Sequence, residues 1–162
     1  MNPASQFPSP ADVAGIASSV AELLEVLWGG GRDLAATPVS VSQLRVLFVL
    51  AGSDGINLRT LTESLDSKPS SVSRLCDRLE AVGLLQRTAS AVSRRELELH
   101  LTPAGLALVT DMRAAREESL GKVLAVMSAA DRRALSAGLK GFRAASAELA
   151  ADRTAVPHVR TA

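Results

Sequence analysis

Aromatic residues and cysteines are scarce in this sequence. Aromatic side chains make up 2% of the 162 residues, with three Phe, one Trp and no Tyr, although 47% of the chain is hydrophobic. A core with so few rings must be built from Leu, Val and Ala, which favours packed helices over a β-sandwich. The single cysteine excludes an internal disulfide framework and is typical of a protein in a reducing compartment.

Long apolar runs, excess charge and catalytic motifs are also lacking. No run of 18 apolar residues occurs, and residues 1–10 lack the basic start and apolar stretch of a signal peptide. We therefore expect a cytoplasmic protein with no membrane partner.

The formal net charge of +1 excludes a general polycation that coats nucleic acid. Without a Gly-rich phosphate loop, a Cys/His cluster or a nucleophile near a His, the sequence predicts no enzyme, metal or cofactor.

One predicted helix, from Pro69 to Val82, has two contrasting faces. Its apolar residues recur at the spacing of a single buried face and are Val72, Leu75, Cys76, Leu79 and Val82. The other face carries small hydroxyls and arginines, which fit a DNA major groove because Ser contacts phosphates or base edges and Arg binds guanine bidentately. The candidate DNA contacts on or next to this helix are Lys68, Ser70, Ser71, Ser73, Arg74 and Arg78.

A β-hairpin is predicted after this helix. Its first strand covers 84–87, and its second, 96–101, alternates so that three leucines share an inward face: Leu97, Leu99 and Leu101. The loop between the strands is small and polar and ends in Arg94 and Arg95, which can enter an adjacent minor groove. Residues 67–95 hold six basic and two acidic side chains, a local net charge of +4. The charge therefore coincides with the predicted DNA-binding surface.

Three runs of this sequence resemble a MarR-type transcriptional regulator. They are Ser42-Gln-Leu-Arg-Val-Leu, Ser67-Lys-Pro-Ser-Ser-Val-Ser-Arg-Leu-Cys-Asp-Arg-Leu-Glu-Ala-Val-Gly-Leu-Leu and Arg94-Arg-Glu-Leu-Glu-Leu-His-Leu-Thr-Pro-Ala-Gly. The resemblance implies a mainly α winged helix-turn-helix with a small β-hairpin wing. It also implies a cytoplasmic dimer that binds a palindromic operator, usually until a small ligand or oxidation releases it. Two positions depart from the family pattern: Ser93 replaces an Asp in the wing, and Lys68 replaces a helix-capping Ser or Asp, so that Ser67 is the expected cap.

Apolar helices flank the predicted DNA-binding region on both sides. A helix over 11–28 ends at three glycines, Ser40 to Gln43 forms a capping box, and helices are predicted to start at Thr102-Pro103 and at Ser128. Their apolar faces exceed what a winged helix can cover, so we expect a homodimer. The predicted organisation is a loosely ordered start (1–10), an N-terminal dimerisation helix and Gly-rich joint (11–37), the winged helix-turn-helix (38–102), C-terminal dimerisation helices (103–151) and a tail (152–162).

The resemblance also implies an effector cleft between the dimerising helices and the winged helix. Its candidate lining is Leu24, Leu27, Trp28, Leu44, Phe48 and Met112, with Arg32 and Arg45 as partners for a small anionic or aromatic effector. The predicted function is a DNA-binding transcriptional repressor released by that ligand. Two alternatives remain open: a winged helix that binds protein or RNA, and a redox sensor acting through Cys76. The position of Cys76 on the apolar face favours core packing, and His100 is expected on a solvated surface.

Overall fold

The computed structural model describes residues 8–29, 39–90 and 96–155, and these residues form six helices and three short strands. The elements are α1 (Pro10–Gly29), α2 (Val41–Gly52), β1 (Ile56–Asn57), α3 (Leu58–Leu65), α4 (Pro69–Ala81), β2 (Leu85–Ala89), β3 (Leu97–Leu101), α5 (Pro103–Val126) and α6 (Ala129–Ala155). The prediction of a mainly α winged helix-turn-helix with flanking helices is confirmed.

The sheet has three antiparallel strands, with β3 between β1 and β2. β1 was not predicted, because two residues are too few to show alternation. Leu99 is buried at the centre of the sheet, opposite Ile56 and Arg87. Leu97 is 53% exposed, so the prediction that it faces inward is wrong. It pairs with Ala89 at the far end of the hairpin, where β2 is exposed although it begins buried at Leu85.

The chain divides into two compact units, one up to Glu117 and one from Glu118. The division lies inside α5, whereas the sequence placed a boundary before residue 103. The core of the first unit is aliphatic, as its composition predicts, apart from a single thiol and a thioether. Its buried residues are Val39, Leu44, Val46, Leu47, Leu50, Leu61, Leu65, Val72, Cys76, Leu79, Leu84, Leu85, Leu99, Val109 and Met112.

Side-chain caps position most of the helix starts in the first unit. Ser40 and Gln43 form the predicted capping box of α2, with nitrogen to oxygen distances of 3.3 and 2.8 Å. At α5, the Thr102 hydroxyl accepts from the Gly105 N–H at 3.0 Å and donates to the Gly83 carbonyl at 2.6 Å. A Cβ on Gly105 would lie 2.1 Å from the Leu84 carbonyl oxygen. Glycine therefore lets α5 approach the start of β2.

The start of α4 differs from its prediction. Its N-cap is Lys68 and no side-chain cap hydrogen bond is present, so the prediction that Ser67 caps it is wrong. Pro69 stands at the first helical position and has no N–H to satisfy, which lessens the need for a cap.

In the second unit, the predicted helix start at Ser128 is confirmed. The Ser128 hydroxyl accepts from the Asp131 N–H at 3.1 Å, and the Arg132 guanidinium donates to the Leu124 carbonyl at 3.1 Å and to that of Met127. The large apolar residues of α6 are exposed; they are Leu135, Leu139, Phe142 and Leu149. Among the described helices, none combines the length and apolar character needed to span a bilayer.

Candidate nucleic-acid interface

Helix α4 packs one face into the core and leaves the other open. Val72, Cys76 and Leu79 are fully buried, and Leu75 is half-buried. Val82 is 51% exposed, so its predicted burial is wrong; α4 ends at Ala81, and Leu84 and Leu85 continue the core instead. The predicted DNA contacts Lys68, Ser70, Ser71, Arg74 and Arg78 are exposed, and Ser73 is half-buried.

An open cleft of about 300 Å³ lies beside this exposed face. We call it the α2–α4 cleft; its lining is Ser42, Arg45, Leu65, Ser67, Ser71, Arg74, Leu75 and Arg78. Arg45, which the sequence assigned to the effector cleft, thus shares a surface with three of the predicted DNA contacts, Ser71, Arg74 and Arg78. None of the three arginines forms an ion pair with any residue in 8–29, 39–90 or 96–155.

Arg87 on β2 pairs with both carboxylates of α4 and offsets one of their two negative charges. Its guanidinium donates to Asp77 Oδ1 at 2.7 Å through Nη2, and to Glu80 Oε2 through Nη1. Arg87 was predicted to belong to the basic DNA-binding surface, but its ion pairs link β2 of the wing to α4. As a result, the unpaired positive charges on α4 are Arg74 and Arg78. The spacing of Asp77 and Glu80 on one helix face was a signal for such a partner.

Cys76 lies within the core, with no exposed surface. Burial raises the pKa of its thiol to about 11; the Arg87 charge lowers it, and Asp77 and Glu80 raise it further. The reactive thiolate is therefore scarce at neutral pH and inaccessible in the folded chain. These properties argue for a packing role and against a redox sensor.

Two aromatic rings of the predicted effector cleft lie around an arginine that the sequence reading missed. The Arg116 guanidinium carbon is 4.8 Å from the ring centroids of both Trp28 and Phe48, and that of Arg113 is 5.9 Å from Phe48. The Trp28 indole nitrogen is buried and has no hydrogen-bond partner within the described residues. A signal was present in the sequence, because Arg116 follows Met112 by one helical turn on α5.

The other predicted effector residues are less closely grouped. Leu44 and Met112 belong to the buried core, Leu24 is half-buried and Leu27 is exposed. Arg32 lies outside the described residues, so its part in the cleft stays a prediction.

The wing arginines Arg94 and Arg95, and Ser93 beside them, also lie outside the described residues. The strand ends on either side of them are joined, since the Ser90 N–H donates to the Glu96 carbonyl at 2.9 Å. Their DNA contacts stay predictions.

His100 is more enclosed than predicted. Its Nδ1 lies 3.1 Å from Asp54 Oδ1 and its Nε2 3.6 Å from Glu98 Oε2, so it is a paired side chain rather than a freely solvated one. Within the part of the chain that the structure describes, no group of three or more His, Cys, Asp or Glu is arranged to hold a metal ion.

Helices α3 and α4 with the β2–β3 hairpin define a winged helix-turn-helix protein. The profile of the MarR family matches residues 37–96. The transcriptional repressor MdtR of Bacillus subtilis is 30% identical over 90 residues, which are 56% of this chain and 58% of that protein. The match therefore spans little more than half the length of this relative.

Solved structures extend the likeness beyond the winged helix. RV1404 from Mycobacterium tuberculosis has a TM-score of 0.75 and 28% identity, with 88% of this chain and 98% of that chain covered. FabT of Streptococcus pneumoniae, crystallised with DNA, shares the fold with a TM-score of 0.62 and 20% identity, covering 85% and 94%. The likeness to the MarR family therefore rests on residues 37–96 and on the fold shared with these solved structures.

Proposed function

We propose that this protein is a transcriptional regulator that binds a palindromic operator as a homodimer and represses transcription. The observation that carries the proposal is the exposed face of α4, where serines and unpaired arginines lie together while the acidic side chains of the same helix are bound by Arg87. MdtR is named a repressor and FabT was crystallised with DNA, which supports the same use of the shared fold.

The charge arrangement explains why α4 suits the major groove. Asp77 and Glu80 repel phosphates, and the guanidinium that binds both of them lowers their combined charge from −2 to −1. Arg74 and Arg78 lie one turn apart and face solvent, so both can reach the edge of a base or the backbone. Ser70 and Ser71 at the start of the helix add short hydrogen-bonding groups. We propose that Lys68, Ser73, Arg94 and Arg95 complete the interface.

A second copy of the chain is the proposed partner of the apolar flanking helices. On α1, the exposed residues include Val13, Ile16, Val20, Leu23 and Val26, and α6 exposes four large apolar side chains of its own. Burying such faces in a two-fold dimer would stabilise both copies. It would also present two α4 helices to successive major grooves, about 34 Å apart.

The proposed effector is a small anionic or aromatic molecule bound near Trp28 and Phe48. Arg113 and Arg116 supply positive charge beside two rings, and the Trp28 indole N–H is a buried donor with no described partner. An aromatic anion could stack on a ring, accept that hydrogen bond and pair with a guanidinium. Such a ligand would release DNA only if it binds the DNA-free conformation more tightly.

The test is a titration of labelled DNA from upstream of the protein's own gene, followed by fluorescence anisotropy. We expect the wild type to prefer the operator over scrambled DNA by ~10³-fold or more. Arg74→Ala should weaken operator binding by ~1 to 3 kcal/mol and relax the preference at one position. Arg133→Ala on α6 removes the same charge from an exposed position outside the proposed interface and serves as the matched control. Equal binding of operator and scrambled DNA by the wild type would contradict the proposal.

A further inference from the structure

The α2–α4 cleft collects positive charge from two helices that are distant in sequence. Arg45 enters it from α2, and Arg74 and Arg78 enter it from α4. No carboxylate lines the cleft, and the three guanidiniums have no ion-pair partner among the described residues. Three like charges around one open space repel each other, and an anion bound between them would relieve that repulsion.

Hydroxyl groups line the same space. Ser42, Ser67 and Ser71 border the cleft, and the hydroxyls of Ser67 and Ser71 donate no hydrogen bond to any described residue. Guanidinium and hydroxyl donors together match the oxygens of a phosphate, which guanidinium binds through paired hydrogen bonds. The cleft is too open to enclose an apolar ligand. Its chemistry is that of a site for a phosphate oxyanion.

We propose that the α2–α4 cleft binds a backbone phosphate of the operator and that Arg45 is its anchor on α2. The proposal rests on the proposed function and extends the DNA interface beyond the helix-turn-helix to the preceding helix. It assigns Arg45 to DNA, where the sequence had assigned it to the effector. Because a phosphate carries no sequence information, Arg45 would position α4 in the groove without choosing the bases.

The consequence is a difference between Arg45 and Arg74 that can be measured. Loss of a phosphate contact weakens binding to all sequences alike and lowers the dependence of affinity on salt, whereas loss of a base contact relaxes specificity. Arg45 is exposed and has no ion pair to lose within the described residues, so Arg45→Ala should leave the fold intact. Circular dichroism and thermal unfolding of the full chain check this.

The experiment measures the affinity of operator and scrambled DNA between ~50 and ~200 mM KCl for wild type, Arg45→Ala, Arg45→Lys and the control Arg133→Ala. For Arg45→Ala we expect about tenfold weaker binding of both DNAs at low salt and a salt slope reduced by about one in each subunit. Arg45→Lys should keep the slope, because lysine retains the charge. Arg133→Ala should match the wild type.

Each other outcome overturns a distinct claim. If the wild type binds its operator and Arg45→Ala keeps the same slope and affinity, the phosphate site is wrong and the proposed function stands. If the wild type fails to prefer its operator, the proposed function itself fails. Inorganic phosphate is also titrated against chloride at constant ionic strength. Phosphate binding that Arg45→Ala abolishes, while the same variant keeps the operator affinity and salt slope of the wild type, would assign the cleft to a free anion and overturn the DNA assignment.

Discussion

The winged-helix region, residues 39–101, and the flanking helices use apolar residues in opposite ways. In the former, Val72 and Leu79 have no exposed surface, and the aliphatic core is completed by Val109 and Met112 of α5. In the latter, Val26 of α1 is 74% exposed and Phe142 of α6 is 71% exposed. Apolar residues are therefore buried within the chain in one region and exposed in the other, and exposed apolar faces of this kind often mark an interaction surface.

The largest expected effect comes from breaking the closed core. Leu79→Ala should lower the free energy of unfolding by ~2 to 5 kcal/mol, because it removes a fully buried side chain from the packing of α4. Urea denaturation monitored by circular dichroism measures this. The loss should be the same at low and high protein concentration. Val82→Ala is the comparison change at the C-cap of the same helix; since Val82 is half-exposed, it should cost far less, and an equal cost would contradict the packing described for α4.

Substitutions on the exposed apolar faces of the flanking helices should change the association of two chains. Phe142→Asp places a charge on the exposed apolar face of α6 and should raise the dimer dissociation constant by about 30-fold or more. Analytical ultracentrifugation measures the constant, and Ala144→Asp, at an exposed position two residues away, controls for one added negative charge. If Phe142→Asp left the association unchanged, this face of α6 would not be the interface.

Two arginines in ion pairs, Arg87 and Arg59, differ in how far their side chains are exposed to solvent. Arg87 has a 21% exposed side chain and binds two carboxylates, whereas Arg59 has an 86% exposed side chain and binds Glu63 alone. Arg87→Ala should lower the free energy of unfolding by about 1 to 2 kcal/mol and weaken DNA binding, because Asp77 and Glu80 then face the phosphates unneutralised. Arg59→Ala should change unfolding within error. Denaturation and operator titration of both variants check this, and equal stability loss would contradict the distinction.

The last expected effect is confined to alkaline pH and comes from Cys76. Its pKa is raised by burial to about 11 in the folded chain from an ordinary 9.0, so the folded state favours the neutral thiol. The resulting stabilisation is present below pH 9, and it is lost as the pH rises from 9 towards 11 because only the unfolded chain ionises readily there. Urea denaturation across this range should show a fall that Cys76→Ala reduces. An identical pH dependence in both proteins would contradict it.

Patterns confined to a single element were predictable from the sequence. The two faces of α4 follow from the helical period, and the caps at Ser40, Thr102 and Ser128 follow from residue types at fixed spacing. The prediction that Val82 is buried was wrong because α4 ends before it, and Leu84 and Leu85 are buried in its place. The prediction that Leu97 is buried was wrong because alternation shows which residues share a face of the strand, but not how much of that face the helices cover.

Contacts between elements were beyond the sequence pattern. Arg87 forms its ion pairs with Asp77 and Glu80 because β2 packs beside α4. Arg45 lines the same cleft as Arg74 and Arg78 because α2 packs beside α4. The pairing of Arg116 with Trp28 and Phe48 likewise joins three helices. The residues of α4 thus predicted a DNA-binding surface from the sequence. The pairing of Asp77 and Glu80 with Arg87, and the α2–α4 cleft, depended on tertiary packing.

The most direct test of this account is the mass of the protein–operator complex by light scattering coupled to size exclusion. The proposal that a second copy covers the exposed apolar faces of α1 and α6 predicts a dimer in free solution and two chains on one palindromic duplex. A folded monomer at micromolar concentration, or one chain per duplex, would contradict it.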